Sequence, residues 1–336
     1  MPPSGGATFI CDNMIRAPRF WNYNGLAARM LSPFSRIAVA IAAYRIARPG
    51  WTAPVPVICC GNATVGGAGK TILAQDLANR LTARGIAVHI LLRGYRGYAR
   101  GVRPVMPDDS AALTGDEAQL LASLAPTWTG ADRAAGARAA VAERAMILLM
   151  DDGLQNSTLT KTMSLLAIDG ATGFGNGRVL PAGPLREPVI AAASRCRAAV
   201  LIGSDISGAL AQLPPELPVL GARLKQSKEV DAIRGRRVVA FTGMAIPCKF
   251  FAGLEHAGVV LAAREAFPDH HAFTHKEVVS LNLCAKAIDA VLVTTPKDAV
   301  RIPHGISVQV VSVQLIWDNE AAIDMLLDEL VMSSAK

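Results

Sequence analysis

Short apolar runs recur along the chain, separated by stretches whose apolar residues are spaced for helices. VPVICC (residues 55 to 60), IAVHILL (86 to 92), MILLM (146 to 150), SLLAI (164 to 168) and AAVLIG (198 to 203) read as buried strands. Lys70 to Arg84 reads as a helix closed by Gly85. Strands alternating with helices predict a mostly parallel sheet wrapped on both faces. The segment 221 to 237, GARLKQSKEVDAIRGRR, is polar and basic and reads as a linker. Beyond it the pattern restarts with VVAFTG, a helix near Pro247 to His256, VVLAAREAF, a helix after Thr274, and VLVTT. A second, smaller α/β domain is expected there.

Near the N-terminus the spacing is different. Met30, Phe34, Ile37, Ile41 and Tyr44 are four or three residues apart and align on one helical face, with Arg29 and Arg36 to its side. Such a helix either lies in a membrane interface, arginines near anionic headgroups, or packs on its own domain. Only IAVAIAAY separates Arg36 from Arg45, far short of the roughly 20 apolar residues that cross a bilayer. A spanning helix is not expected, and the position of the run argues against a signal peptide.

At 336 residues and 51% hydrophobic, the chain can bury a large core and form two domains. The excess of 34 Lys plus Arg over 27 Asp plus Glu gives +7, which suits an anionic partner: nucleotide, acidic lipid or nucleic acid. The first fifty residues carry a clear basic bias, six arginines against the single acid Asp12. The six cysteines form no CxxC pair and have no metal-ligand spacing with histidine, so they read as reduced thiols.

The chemistry begins at GNATVGGAGKT. In a loop of Thr64, Val65, Gly66, Gly67, Ala68 and Gly69, glycines let backbone N–H groups crowd around phosphate oxygens, and the following helix adds its positive end. Lys70 is placed to reach the β- and γ-phosphates, and the Thr71 hydroxyl to hold Mg²⁺. The general pattern GxxxxGK[ST] has glycine where this chain has Thr64, but strand before and helix after supply the required context. MILLMDDGLQN is the second half: an apolar strand delivers Asp151 and Asp152 to the sheet edge where Mg²⁺ needs carboxylates, although adjacent acids there also cap turns. The lysine that membrane-associated partitioning ATPases carry before the two glycines is replaced by Val65. TTPKDAV does not have the [NT]KxD spacing by which regulatory GTPases read guanine.

Several strings together resemble one family, the tetraacyldisaccharide 4'-kinases (lipid A 4'-kinases) of Gram-negative bacteria. They are APRFW (17 to 21), VPVICCGNATVGGAGKT (55 to 71), RGY (93 to 95), GDE (115 to 117), DDGLQ (151 to 155), GFGNGRVLPAGPLREP (173 to 188), FPDHHAFT (267 to 274) and TTPKDAV (294 to 300). The resemblance implies a P-loop NTPase-like, mostly parallel sheet domain plus a smaller α/β domain. It also implies an N-terminal membrane-interface helix at the cytoplasmic face of the inner membrane, peripheral or monotopic. The expected divisions are residues 1–50, 51–228 and 229–336, with the last helix able to pack back on the P-loop domain. Residues 1–13 precede the first family match and read as a dispensable extension.

The implied reaction transfers the ATP γ-phosphate to the 4'-hydroxyl of an acylated disaccharide 1-phosphate, with Mg²⁺ and without nucleic acid. By the same resemblance Asp116 is the base, supported by His270. Because they fall in different domains, closure would complete the site. Arg93, Tyr95, Gln155, Asn176, Arg178 and Arg186 are implied substrate contacts, and Arg133 is aligned by approximate spacing only. Three positions depart from the family pattern: Asn156 replaces a usual histidine, Ala245 and Ile246 replace a pair such as Gly-Asn, and Ala118 replaces a common proline. The alternatives are a P-loop kinase for another sugar or lipid acceptor, and a non-catalytic nucleotide-operated membrane switch.

Overall fold

The computed structural model describes residues 18–334 apart from residue 304. The expectation for residues 1–13, and the first residue of APRFW, lie outside them. In chain order the strands are β1 (Val57–Gly61), β2 (Val88–Leu92), β3 (Arg103–Pro104), β4 (Thr127–Thr129), β5 (Ile147–Asp151), β6 (Met163–Asp169) and β7 (Ala198–Ile202). They continue with β8 (Val219–Gln226), β9 (Arg237–Thr242), β10 (Val260–Ala266), β11 (Val291–Thr294), β12 (Gln309–Val310) and β13 (Val313–Trp317). The helices are α1 (Leu26–Ile46), α2 (Lys70–Ala83), α3 (Ala111–Thr114), α4 (Asp116–Ala122) and α5 (Arg133–Ala142). After them come α6 (Val189–Ala193), α7 (Pro247–His256), α8 (His275–Ala287), α9 (Pro296–Ala299) and α10 (Glu320–Ser334).

Nine strands form one sheet in the order β13-β8-β7-β6-β1-β5-β2-β4-β3. Every interior pairing is parallel, and only the two edge strands, β3 and β13, run antiparallel to their neighbours. β1, β2, β5, β6 and β7 are buried at every residue, as continuous apolar runs require when helices cover both faces. One face receives Leu73, Leu77 and Leu81 of α2 and Ile323, Leu327 and Leu330 of α10. The other receives Ala137 and Ala140 of α5, Ala192 and Ala193 of α6, and Phe174. β1 lies between β5 and β6, neither of which is the next strand in the chain, so its carboxyl end opens at a switch point of the topology.

The chain divides into two compact units, one containing Pro18–Lys228 and the segment from Ser312, the other Glu229–Val311. The expected linker is shorter than its polarity suggested. Residues up to Gln226 continue β8, whose backbone pairs with β7 on one side and β13 on the other, so Arg223 and Lys225 are solvent-facing strand residues. Backbone pairing, not an apolar side-chain run, makes this strand. The chain also re-enters the larger unit at Ser312, so β13 and α10 both belong there. Arg80 of α2 and Arg84, which follows its last residue, reach Asp324 of α10 at 3.2 and 2.7 Å.

The smaller unit is a parallel sheet of order β10-β9-β11-β12. Phe250, Phe251 and Leu254 cover one face, and Phe273 and Val278 the other. A reciprocal cap between Thr274 and Glu277 starts α8.

α1 is 21 residues long, with length and apolarity enough to cross a membrane, which the short run between its arginines did not suggest. Only Ala28 and Ser35 are buried. Met30, Phe34, Ile37, Ile41 and Tyr44 all face outward, from 48% to 68% exposed. The opposite side is bonded to the protein: Ser35 Oγ donates to the Val179 carbonyl at 2.6 Å.

Candidate active site

β1 ends at Gly61 and α2 starts at Lys70, so the intervening loop sits on the carboxyl end of the central strand. Gly69 caps the helix at φ 81°, and a Cβ there would come 2.5 Å from Ile202 Cδ1, so only glycine fits. At Gly66 and Gly67 an added Cβ would meet no atom within 4 Å, and the backbone there borders open space. The first half of the loop is clamped from behind. Val65 N–H donates to the Pro184 carbonyl at 2.8 Å and Arg186 N–H to the Ala63 carbonyl at 2.7 Å. Asn62 Nδ2 donates to Thr64 Oγ1 at 3.0 Å, which gives the non-glycine Thr64 a positional role.

Beside the loop the charged groups converge. Thr71 Oγ1 donates to Asp151 Oδ2 at 2.9 Å, while Asp151 Oδ1 is buried without a hydrogen-bond partner among the described residues. Burial, with the charge of Glu117 adding to it, pushes the Asp151 carboxyl up to about 7. Asp152 follows at φ 53°, a left-handed conformation that turns the chain out of β5. Arg186 grips its carboxylate through both nitrogens, at 2.7 and 3.0 Å, and Lys70 Nζ stands 3.7 Å away. Burial opposes the charge of Asp152, but Lys70 and Arg186 outweigh it and hold its pKa below the ordinary value. Arg133 is buried nearby, its Nε without a partner and its Nη1 on the Gly130 carbonyl. Burial pushes its guanidinium down to about 10, with Asp152 and Asp151 opposing.

Asp116 opens α4 at 4% exposure, and its Oδ1 accepts the Glu117 N–H at 3.0 Å. A Cβ on Gly115 would lie 2.7 Å from the Tyr95 carbonyl, so the RGY turn packs on the start of α4. Arg93 and Tyr95 are exposed on that turn. Gln155 Nε2 donates to the Asn62 carbonyl and to Glu187 Oε1, both at 2.9 Å, and its Oε1 accepts from Arg186 at 3.2 Å. Gln155 therefore ties the phosphate loop to the arginine that holds Asp152.

Asn176 and Arg178 stand apart from this group. Asn176 Nδ2 donates to the Phe20 and Ala182 carbonyls at 3.0 and 2.9 Å. Arg178 reaches Asn24 Oδ1 at 2.7 Å and also Ser32 Oγ. Both fasten the N-terminal segment to the loop that clamps the phosphate cradle. His270 lies in the smaller unit at φ 62°, its N–H on the Gly243 carbonyl at 3.0 Å and its Nε2 3.5 Å from Lys297 Nζ. Asn156 closes a turn, its Oδ1 accepting from Thr158 N–H and Oγ1 at 3.1 and 2.9 Å.

Two polar residues of this network escape the motif reading. Asn62 precedes the pattern, and Glu187 is buried at 2% exposure between Gln155 and Arg195, which it meets at 2.7 and 2.8 Å. The only signal for Glu187 is its place in the string LREP.

A phosphate-binding loop on the central strand, with a hydroxyl, a strand-end carboxylate pair and a lysine beside it, defines a P-loop phosphotransferase. The profile of the tetraacyldisaccharide-1-P 4'-kinase family matches residues 27–331. The chain is 54% identical over 321 residues to the tetraacyldisaccharide 4'-kinase of Gluconacetobacter diazotrophicus, spanning 94% of this chain and 98% of that protein. It is 47% identical over 324 residues to that of Gluconobacter oxydans, spanning 95% and 99%. A crystal structure of the "apo" form LpxK from Aquifex aeolicus in complex with ATP is similar at TM-score 0.74 and 25% identity, spanning 90% of this chain and 99% of that one. The chain belongs to the tetraacyldisaccharide 4'-kinase family.

Proposed function

We propose that the protein transfers the γ-phosphoryl group of ATP to the 4'-hydroxyl of a tetraacyldisaccharide 1-phosphate at the cytoplasmic surface of the inner membrane. The observation that carries the reading is the convergence of Lys70, Thr71, Asp151, Asp152 and Arg186 at the carboxyl end of β1 and β5, in a chain of this family. Phosphoryl transfer asks for alignment and charge neutralisation more than covalent chemistry. The backbone from Thr64 to Gly69 cradles the phosphates, and the Lys70 ammonium neutralises the β- and γ-oxygens.

The residues present fit Mg²⁺. Asp151 has a buried oxygen without a partner, and its other oxygen already shares the Thr71 hydroxyl at 2.9 Å. Thr71, Asp151 and Asp152 would hold the ion. When bound, Mg²⁺ supplies charge neutralisation at the phosphates.

Asp116, buried at the start of α4, accepts the hydroxyl proton, while the supporting role of His270, which belongs to the smaller unit, rests on the family resemblance alone. Arg93, Tyr95, Gln155 and Arg186 border the acceptor, whereas Asn176 and Arg178 act by fixing the N-terminal segment. α1 lies in the interface and does not cross it. A helix bonded to protein along one side, with Ser35 on Val179 and Ser32 on Arg178, cannot be surrounded by lipid, but its outward apolar face can enter one leaflet.

Purified protein, Mg²⁺, labelled ATP and the disaccharide acceptor, followed by mass spectrometry of the lipid, test the reading. Phosphate appears at the 4'-position of the acylated acceptor and far more slowly on its deacylated form. Equal transfer to both favours a general sugar kinase, and ATP binding without transfer favours a nucleotide-operated switch.

A further inference from the structure

A cavity of about 450 Å³ lies at the amino ends of the interior strands β6 and β7, whereas the phosphate loop follows the carboxyl end of β1. It lies beside Met163 and Ser164, where β6 starts, and Arg197, just before β7. Its wall contains four cations, Arg48, Lys161, Arg195 and Arg197, and no carboxylate. Two of them have acidic partners outside the wall: Arg195 meets Glu187 at 2.7 Å and Arg197 meets Glu329 at 3.0 Å. Arg48 and Lys161 form no ion pair among the described residues. The Lys161 ammonium is half-buried and donates to the Asn156 carbonyl, and burial lowers its pKa. Thr160 and Ser194 add hydroxyls to the lining.

The rim is continuous with the outward face of α1. Ile46, the last residue of that helix, lines the cavity. Arg48 lies over the Tyr44 ring at 4.9 Å and reaches its hydroxyl at 3.4 Å, and Tyr44 ends the exposed apolar stripe. An apolar stripe that enters the acyl region therefore brings a cationic cavity to headgroup depth. Basic pockets in that position bind phosphate-bearing headgroups, and a phosphate would complete the charge that Arg48 and Lys161 leave uncompensated.

We propose that this cavity binds the phosphate of an anionic membrane-lipid headgroup, separately from the acceptor and nucleotide. The inference rests on the interfacial placement of α1. A free phosphate offers the same chemistry, and the test separates the two.

Binding of the full chain to phosphatidylcholine vesicles, with and without a minor fraction of phosphatidylglycerol, is the measurement. Wild type prefers the anionic vesicles, and Arg48→Gln with Lys161→Gln reduces that preference roughly tenfold or more. Arg48→Gln alone, on the exposed rim, reduces it a few-fold and guards against misfolding at Lys161. Arg236→Gln with Arg237→Gln removes the same charge from the smaller unit and has far less effect. An equal loss in both double variants overturns the pocket. Inorganic phosphate that raises the thermal midpoint of wild type but not of the pocket variant, without any phosphatidylglycerol preference, makes this a free-anion site and overturns the lipid assignment. Phe34→Ser with Ile37→Ser reports on α1 independently: unchanged binding to neutral vesicles refutes its interfacial placement and leaves the headgroup comparison readable.

Discussion

Each unit contains a fully or nearly buried aspartate, and the two are treated in opposite ways. In the smaller unit Asp298 is 0% exposed, and both oxygens are used. Oδ2 accepts from Thr242 and Thr295 hydroxyls at 2.6 and 2.7 Å, and Oδ1 from the Gly243 N–H at 2.9 Å and from Arg301. In the larger unit Asp151 keeps one oxygen without a partner, and its carboxyl is pushed up to about 7 by burial. A buried charge with its hydrogen bonds complete is a fastening, and one left incomplete beside an open glycine loop is a ligand site. The difference separates the aspartate that ends β5 from the one on the short helix α9 that follows β11.

Removing Asp298 gives the largest effect. Asp298→Ala strands two hydroxyls, an N–H and a guanidinium in a dry interior, and costs about 3–5 kcal/mol of stability. Urea unfolding reads it, and a loss below about 1 kcal/mol would show that the cluster is not the fastening described.

The site's own contrast is next. Lys70→Ala lowers turnover by about 10²–10³ and weakens ATP binding, because the ammonium meets the phosphates in the ground state and more strongly as charge develops in the transition state. Asp116→Ala lowers turnover by a similar factor and leaves ATP affinity nearly unchanged, because its partner is the acceptor hydroxyl. Mild, equal effects of the two substitutions on turnover and on nucleotide titration would remove both roles.

Much of this was legible in the chain. Continuous apolar runs mark β1, β5, β6 and β7 because strands buried on both faces need apolar residues at every position. Lys70, Thr71 and Asp151 were legible because the phosphate loop and its strand-end acid are local patterns. β8 was hidden, since an alternating basic sequence resembles a linker until a partner strand supplies the backbone bonds. The return of β13 to the first sheet was hidden for a related reason, since nothing local says that a strand will rejoin an earlier sheet, although the last helix was expected to be able to pack back. Arg178 and Arg186 lie eight residues apart in one motif, yet one holds α1 and the other Asp152. Only tertiary geometry separates them.

Asp76 sharpens the comparison at its small end, as a carboxylate that is partnered yet still strained by burial. It lies on α2, and its Oδ2 accepts from Trp317 Nε1 at 2.8 Å and Arg80 Nε at 2.9 Å, joining α2 to β13. Burial raises its pKa above 3.8 although both partners and the Arg80 charge oppose the rise. An acid with a raised folded pKa costs nothing while protonated in both states. Its cost grows as pH climbs from the unfolded value through the folded one, and is constant above that. Asp76→Asn stays neutral and keeps an oxygen for Trp317. The variant therefore gains on wild type as pH rises from about 3 towards neutral, by less than ~1 kcal/mol. Denaturation curves at the two ends of that range measure the change. A variant that instead loses ground with rising pH would mean that attraction to Arg80 outweighs burial, and Asp76 would join Asp298 among the complete fastenings.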